Sequence, residues 1–148
     1  MIDYEARVQR GIDLLDRRAS SGWAMMISTE RLDVSSGADC VLGQVFGSYT
    51  VGCKMLGFSG TTCAEHCARS AEHGFALSHE DATSLGTTTM VTRAYNELTT
   101  VWVTAIKARR AEIMTKAPVY TAADWRCNEI ALTTSVEMTT QRALVTAS

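Results

Sequence analysis

Apolar residues recur every three or four positions at the start of the chain, where Tyr4, Val8, Ile12 and Leu15 fall on one side of a helix drawn from Asp3 to Arg18. Asp3 with Arg7, and Asp13 with Arg17, add acid-to-base pairs one turn apart on that helix. The pattern stops at Ser20-Ser21-Gly22. Trp23 to Ile27 then begins a short apolar element, with Trp23 expected to pin the turn to the first helix. After Asp39 the run CVLGQVF gathers Val41, Leu42, Val45 and Phe46 into a compact apolar face. The run alone fits helix or strand, and the polar residue ahead of it favours a helix. Another short helix from Thr50 should end at Gly57, a usual closing position for glycine. The longest periodic segment runs from Thr88 to about Glu112, its stripe formed by Val91, Tyr95, Leu98, Trp102 and Ala105 or Ile106. Beyond Pro118, Thr121 and Asp124 have capping-box spacing with Asp in place of the usual Glu or Gln, which puts Trp125 in the first turns of a helix. After Thr133 the pattern blurs.

All ten glycines lie at or before Gly86 and the only proline is Pro118, so short punctuated elements should precede long uninterrupted ones. Alternating strands with turn dipeptides between them are missing, as are internal repeats and sustained heptads. The expected class is therefore all-α, a compact single-domain bundle of short helices around one long core helix. Residues 1–118 would form the helical core domain and 119–148 a C-terminal helical segment or partner-binding tail.

The stretch TTCAEHCARSAEHGF, Thr61 to Phe75, carries the densest candidate chemistry. Thr61 or Thr62 can cap a helix that Gly74 ends, and Cys63, His66, Cys67, Ser70 and His73 then share one side of it. Sulfur and imidazole are ligands that zinc favours. Side chains on one stripe point the same way, however, and a tetrahedral ion needs ligands that converge. A third or fourth ligand would have to come from Cys40, Cys53 or His79. The competing account takes Cys63, Cys67 and Ala71, with Ala64 and Ala68 alongside, as a small-residue packing face flanked by half-exposed His66 and His73. Packing is the preferred reading, and no cofactor is expected. Zinc on Cys63, His66, Cys67 and His73 is the alternative.

Composition narrows the choice of function. At 148 residues and 46% hydrophobic the chain can bury one sizeable core, and a net charge of −2 does not suit a protein that coats nucleic acid or anionic lipid. One segment, 87–118, is basic through Arg93, Lys107, Arg109, Arg110 and Lys116; helix-end cations facing a negative dipole explain it more simply than nucleic-acid binding. No apolar run is long enough to span a membrane, and the N-terminus lacks the apolar run of a secretory signal, so a cytoplasmic location without a membrane partner is expected. Five irregularly spaced cysteines then read as reduced thiols. Cys40, at an expected helix start, is the one plausible nucleophile, although a buried structural thiol is the favoured account. Phosphate loops and the HExxH and GxSxG motifs are absent, Gly43 and Gly47 read as a close-contact pair, and Glu80-Asp81 reads as a solvated loop.

The ordered series YEARVQRGIDLLD, GW, RLDV, DCVLGQVFGSY, LGF, HGFAL and YNELTTVWVTAIKARR covers about two thirds of the chain. It resembles a group of small proteins from actinobacteria and their bacteriophages. The resemblance brings no catalytic or cofactor-binding residue with it. It implies a bacterial or phage cytoplasmic protein acting by contact. With no catalytic constellation in view, the expected function is a non-enzymatic interaction protein that binds a host or phage protein or self-associates. Trp125, Arg109 and Arg110 are its candidate contact residues. A metal- or thiol-dependent protein centred on Cys63, His66 and Cys67 is the alternative, and nucleic-acid binding through Arg93, Lys107, Arg109 and Arg110 the second.

Overall fold

The computed structural model describes residues 2–58 and 62–116, except for the side chain of Cys63. The expected C-terminal helix, with Trp125, lies outside the described residues. Six α-helices and one 3-10 turn follow in order: α1 Tyr4–Arg18, the turn Trp23–Met26, α2 Val41–Phe46, α3 Tyr49–Met55, α4 Cys63–Glu72, α5 His79–Leu85 and α6 Thr88–Lys116. No strand occurs among the described residues. The protein is all-α, with short helices gathered around one long one.

Asp3 starts α1 as its cap, the carboxylate accepting from the Ala6 N–H at 2.9 Å. The two acid-to-base pairs expected along α1 do not form as such. Arg7 turns instead to Asp81 on α5, and Arg17 donates through Nε to the backbone carbonyl of Asp13. Val8, Ile12 and Leu15 are buried as the spacing requires. Trp23 is buried too, its indole N–H donating to Asp16 on α1 at 2.9 Å, so it pins the turn as expected.

The long helix extends four residues past the expected end, to Lys116, and buries Ala94, Leu98, Trp102 and Ile106. α1 and α6 run side by side in the same direction. Tyr4 and Glu97 line one hollow at the first end, Gly11 meets Trp102 in the middle, and Asp16 pairs with Arg109 at 2.7 Å at the far end. Gly11 is required at this crossing, since a Cβ there would stand 2.4 Å from the His73 carbonyl oxygen and 2.9 Å from the Trp102 ring. Phe75 stacks on Trp102 at 5.4 Å between centroids, and the indole N–H donates to the Gly74 carbonyl at 2.6 Å. One tryptophan thus joins α6 to the turn after α4 through both apolar area and a buried hydrogen bond.

The helix expected after Asp39 forms, but its cap is Cys40, whose sulfur accepts from the Gly43 N–H at 3.3 Å. Asp39 instead pairs with Arg31 across the preceding loop at 2.7 Å. That loop is held down by Gln44, which accepts from the Ser28 N–H at 2.7 Å and donates to the Asp39 carbonyl at 2.9 Å. Gly43 and Gly47 are not a helix-contact pair. A Cβ on Gly43 would collide with the Ala38 carbonyl at 2.4 Å, whereas Gly47 ends α2 at φ 88°. The close approach of α2 to α3 rests on Gly52, where a Cβ would lie 2.7 Å from Leu42 Cβ.

Candidate functional site

On α4, Thr62 supplies the expected cap, its hydroxyl accepting from the Glu65 N–H at 3.2 Å. The inward residues are Ser70 and Ala71, both buried, while Ala64 and Ala68 are exposed. Among the described side chains the packing face therefore omits Ala64 and Ala68 and takes in Ser70 beside the expected Ala71. Its centre is polar: the Tyr49 hydroxyl of α3 donates to Ser70 Oγ at 2.8 Å, and the Cys53 thiol, one turn after Tyr49, lies beside both. Burial pushes the Tyr49 phenol and the Cys53 thiol up, so both keep their protons at neutral pH.

The side chain of Cys63 lies outside the described ones, and the other three candidate zinc ligands have different surroundings. The His66 ring sits 6.3 Å from the Tyr49 ring, whereas the His73 ring packs 5.2 Å from Phe58 with Nδ1 2.9 Å from the Arg69 carbonyl. Cys67 is half-buried on the same helix. Among the described residues, no three His, Cys, Asp or Glu side chains are grouped to hold a metal ion. The thiol that α3 adds to this region is Cys53, one of the three residues named beforehand as a possible outside ligand. Cys40 has the surroundings of a structural thiol. It is buried, and burial outweighs the N–H groups of the helix start and pushes its thiol up, away from nucleophilic character.

The basic segment is largely engaged within the fold. Arg109 bridges Asp16 and Glu112, each at 2.7 Å. Arg110 donates through Nε to the Ala24 carbonyl at 2.9 Å and through Nη2 to the Ile27 carbonyl, fastening the 3-10 turn to α6. Arg93 pairs with Glu97 at 2.9 Å. Lys107 is exposed. Three of the four cations of the nucleic-acid reading therefore have internal acceptors, and two of those three hold the tertiary structure together.

Glu80-Asp81 is not a solvated loop. Both residues are in α5, where Asp81 completes a capping box with Ser78 and is only 9% exposed. Arg7 grips it with two hydrogen bonds of 2.7 and 3.0 Å. Burial alone would raise the Asp81 carboxyl; the Arg7 guanidinium and the Ser78 N–H and hydroxyl outweigh it and hold the group below the usual carboxylate range. Surface hollows of about 580 and 600 Å³ flank this ion pair, one reaching Tyr4 and Glu97, the other floored by Ala64, Ala68 and Ala71. The signal was present in the sequence, because Ser78-His-Glu-Asp81 has the same cap spacing as Thr121 to Asp124.

The least expected feature of the surface is its methionines. Met25, Met26, Met55, Met90 and Met114 are each between 43 and 67% exposed, although methionine belongs to the residues most often found inside. Three of them gather about Arg110. Met25 and Met26 lie on the turn that Arg110 fastens to α6, and Met114 follows Arg110 by one helical turn. No helix among the described residues is long and apolar enough to cross a membrane. Compared with protein families, characterised proteins and solved structures, the chain matches none.

Proposed function

We propose that the protein is a non-enzymatic helical interaction module that binds another protein through the surface bearing Met25, Met26 and Met114. The observation that carries this reading is the exposure of every methionine among the described residues beyond 40%. Flexible, polarisable thioethers adapt to an apolar partner surface. The end of α1, tied to this turn through Asp16 and Trp23, also carries Arg17 and Arg18, cations suited to an acidic partner. The buried, protonated thiols Cys40 and Cys53 and the internally bonded arginines leave little for catalysis. The resemblance to actinobacterial and phage proteins supports a host or phage protein as that partner. The test is a crosslinking capture with the whole chain and with a Met25→Lys, Met26→Lys, Met114→Lys variant. A protein retained by the first and by a Met90→Lys control, but lost from the triple variant, is the expected outcome. Equal capture by all three, or none by any, would sink the reading.

A second reading, a small metal- or thiol-dependent protein, is favoured by the arrival of Cys53 at the Ser70 turn of the helix that carries Cys63, His66 and Cys67. Metal analysis of protein purified without chelator or affinity metal tests it. Stoichiometric zinc lost on Cys53→Ser would support it, and a metal-free protein would remove it.

A further inference from the structure

The middle of α6 is built like a helix covered on all sides. Residues 98–106, LTTVWVTAI, carry no charge through two and a half turns. Leu98, Trp102 and Ile106 turn into the core, yet Thr100 and Thr104 are exposed and Val101, Val103 and Ala105 only half-buried. Apart from Thr99, Thr100 and Thr104 the segment is apolar, and a helix with so little charge is ordinarily more covered than this one. The two exposed threonines do not oppose burial: their hydroxyls donate back to the Asn96 and Thr100 carbonyls at 2.9 and 3.1 Å. Covering them leaves no side-chain donor unsatisfied. Between this face and α1 runs an apolar groove of about 420 Å³, walled by Val8 and Ile12 on one side and Val101, Ala105 and Ala108 on the other.

Charge decides what fits there. On the outward stripe, Arg93 and Glu97 lie one to two turns before Thr100, and Lys107 lies about one turn after Thr104. An antiparallel copy of α6, placed so that Thr100 faces the partner's Thr104, sets Glu97 opposite the partner's Lys107 and Asn96 opposite the partner's Ala108. The axis of symmetry then passes at the level of Trp102, and every pairing occurs twice, as an isologous contact demands. The parallel α1 strengthens the match, because Glu5 lies on the groove near the level of Glu97 and joins it in facing the incoming lysine. Glu5 and Lys107 are exposed, and neither forms an ion pair among the described residues. A parallel copy in register would set Lys107 against Lys107, leave Glu5 without a cation and leave Glu97 with Arg93 of its own helix alone.

We infer that the protein is a twofold dimer in which α6 of each copy lies antiparallel along the other's α6 and α1/α6 groove, with Glu97 and Glu5 receiving the partner's Lys107. This interface is separate from the methionine surface and goes beyond the reading given for it.

Sedimentation of the full chain tests the inference. The wild type sediments at twice the chain mass at micromolar concentration. Lys107→Glu weakens the dimer by roughly tenfold or more, since it opposes like charges at two symmetric places. Glu97→Lys with Lys107→Glu restores much of that loss, and Thr104→Arg, which puts an uncompensated cation at the centre, leaves a monomer. Circular dichroism checks that each variant keeps its helix content, which these exposed positions should permit. A wild type that is monomeric at every concentration overturns the dimer. Equal affinity in Lys107→Glu and Thr104→Arg overturns the surface. A double variant no tighter than Lys107→Glu overturns the antiparallel register. Methionine-surface capture is read separately, so a monomer that still captures a partner, or a dimer that captures none, tells which of the two readings has failed.

Discussion

Asp81 shows how one carboxylate can be misjudged when only its neighbour in sequence is considered. It is buried against Arg7, 74 positions earlier, and its charge is kept by that guanidinium together with the start of α5. Its folded-state pKa lies below the unfolded one. The pair therefore adds stability above the unfolded carboxyl range of about pH 4, and that stability fades as pH falls through the folded value. Arg7→Met leaves the carboxylate buried with only its cap bonds. At pH 7 the variant should lose about 2 kcal/mol, less than the 3–5 of a fully buried pair because the Arg7–Asp81 contact reaches solvent at its edge. Without the arginine the carboxyl rises from its wild-type position, so the variant loses less stability than the wild type as pH falls. The gap measured by urea unfolding should accordingly narrow between pH 7 and pH 4; a constant gap would show that Arg7 acts through packing alone.

Among the elements, α1 meets α6 and the His73-Gly74 turn at a junction that admits no Cβ on Gly11. Gly11→Ala gains up to about 1 kcal/mol of helix propensity. It also drives a methyl into a backbone carbonyl and an indole that cannot both retreat, an overpacking cost of about 1–3 kcal/mol. The collision should win, lowering the midpoint of thermal unfolding by several degrees, while Gly22→Ala, with open space around it, should change little. An unchanged midpoint for Gly11→Ala would mean that the helices part at no cost. This junction marks the limit of what spacing reveals. Val8, Ile12, Leu98 and Trp102 could be assigned to core stripes because periodicity is a local property, and the 3-10 turn, α2, α3 and α4 followed from their punctuation. Gly11 looked like one more glycine because its reason is a carbonyl 62 positions away. α5 was missed because HEDATSL offers only Ala82 and Leu85 as apolar positions, too few to mark a face, although its cap was legible. The Cys-His stretch was legible as a helix with Ala71 inward; Ser70 joins it there because α3 offers Tyr49, a polar partner that no pattern within α4 announces.

Across the described residues, burial is concentrated along the α1–α6 pair. Leu15, Leu98, Trp102 and Ile106 are fully buried there, and the far end is tied by Asp16–Arg109 and by the Arg110 bonds to the 3-10 turn. α4 is attached more lightly: only Ser70 and Ala71 of its described side chains are buried. Opening free energy follows buried contacts, so different parts of one fold can open separately. Hydrogen exchange followed by mass spectrometry should find the backbone amides of residues 98–106 and 11–15 exchanging only with global unfolding. Those of residues 66–69 should exchange at least roughly tenfold faster, through local release of α4. The same experiment bears on the dimer. If α6 is covered by a second copy, protection at residues 100–104 should rise with protein concentration, because association favours the folded form, while α4 stays unchanged. Equal protection of α4 and α6 would mean a fully cooperative unit, and it would remove the basis for treating the α3–α4 polar cluster as a region able to open without unfolding the rest.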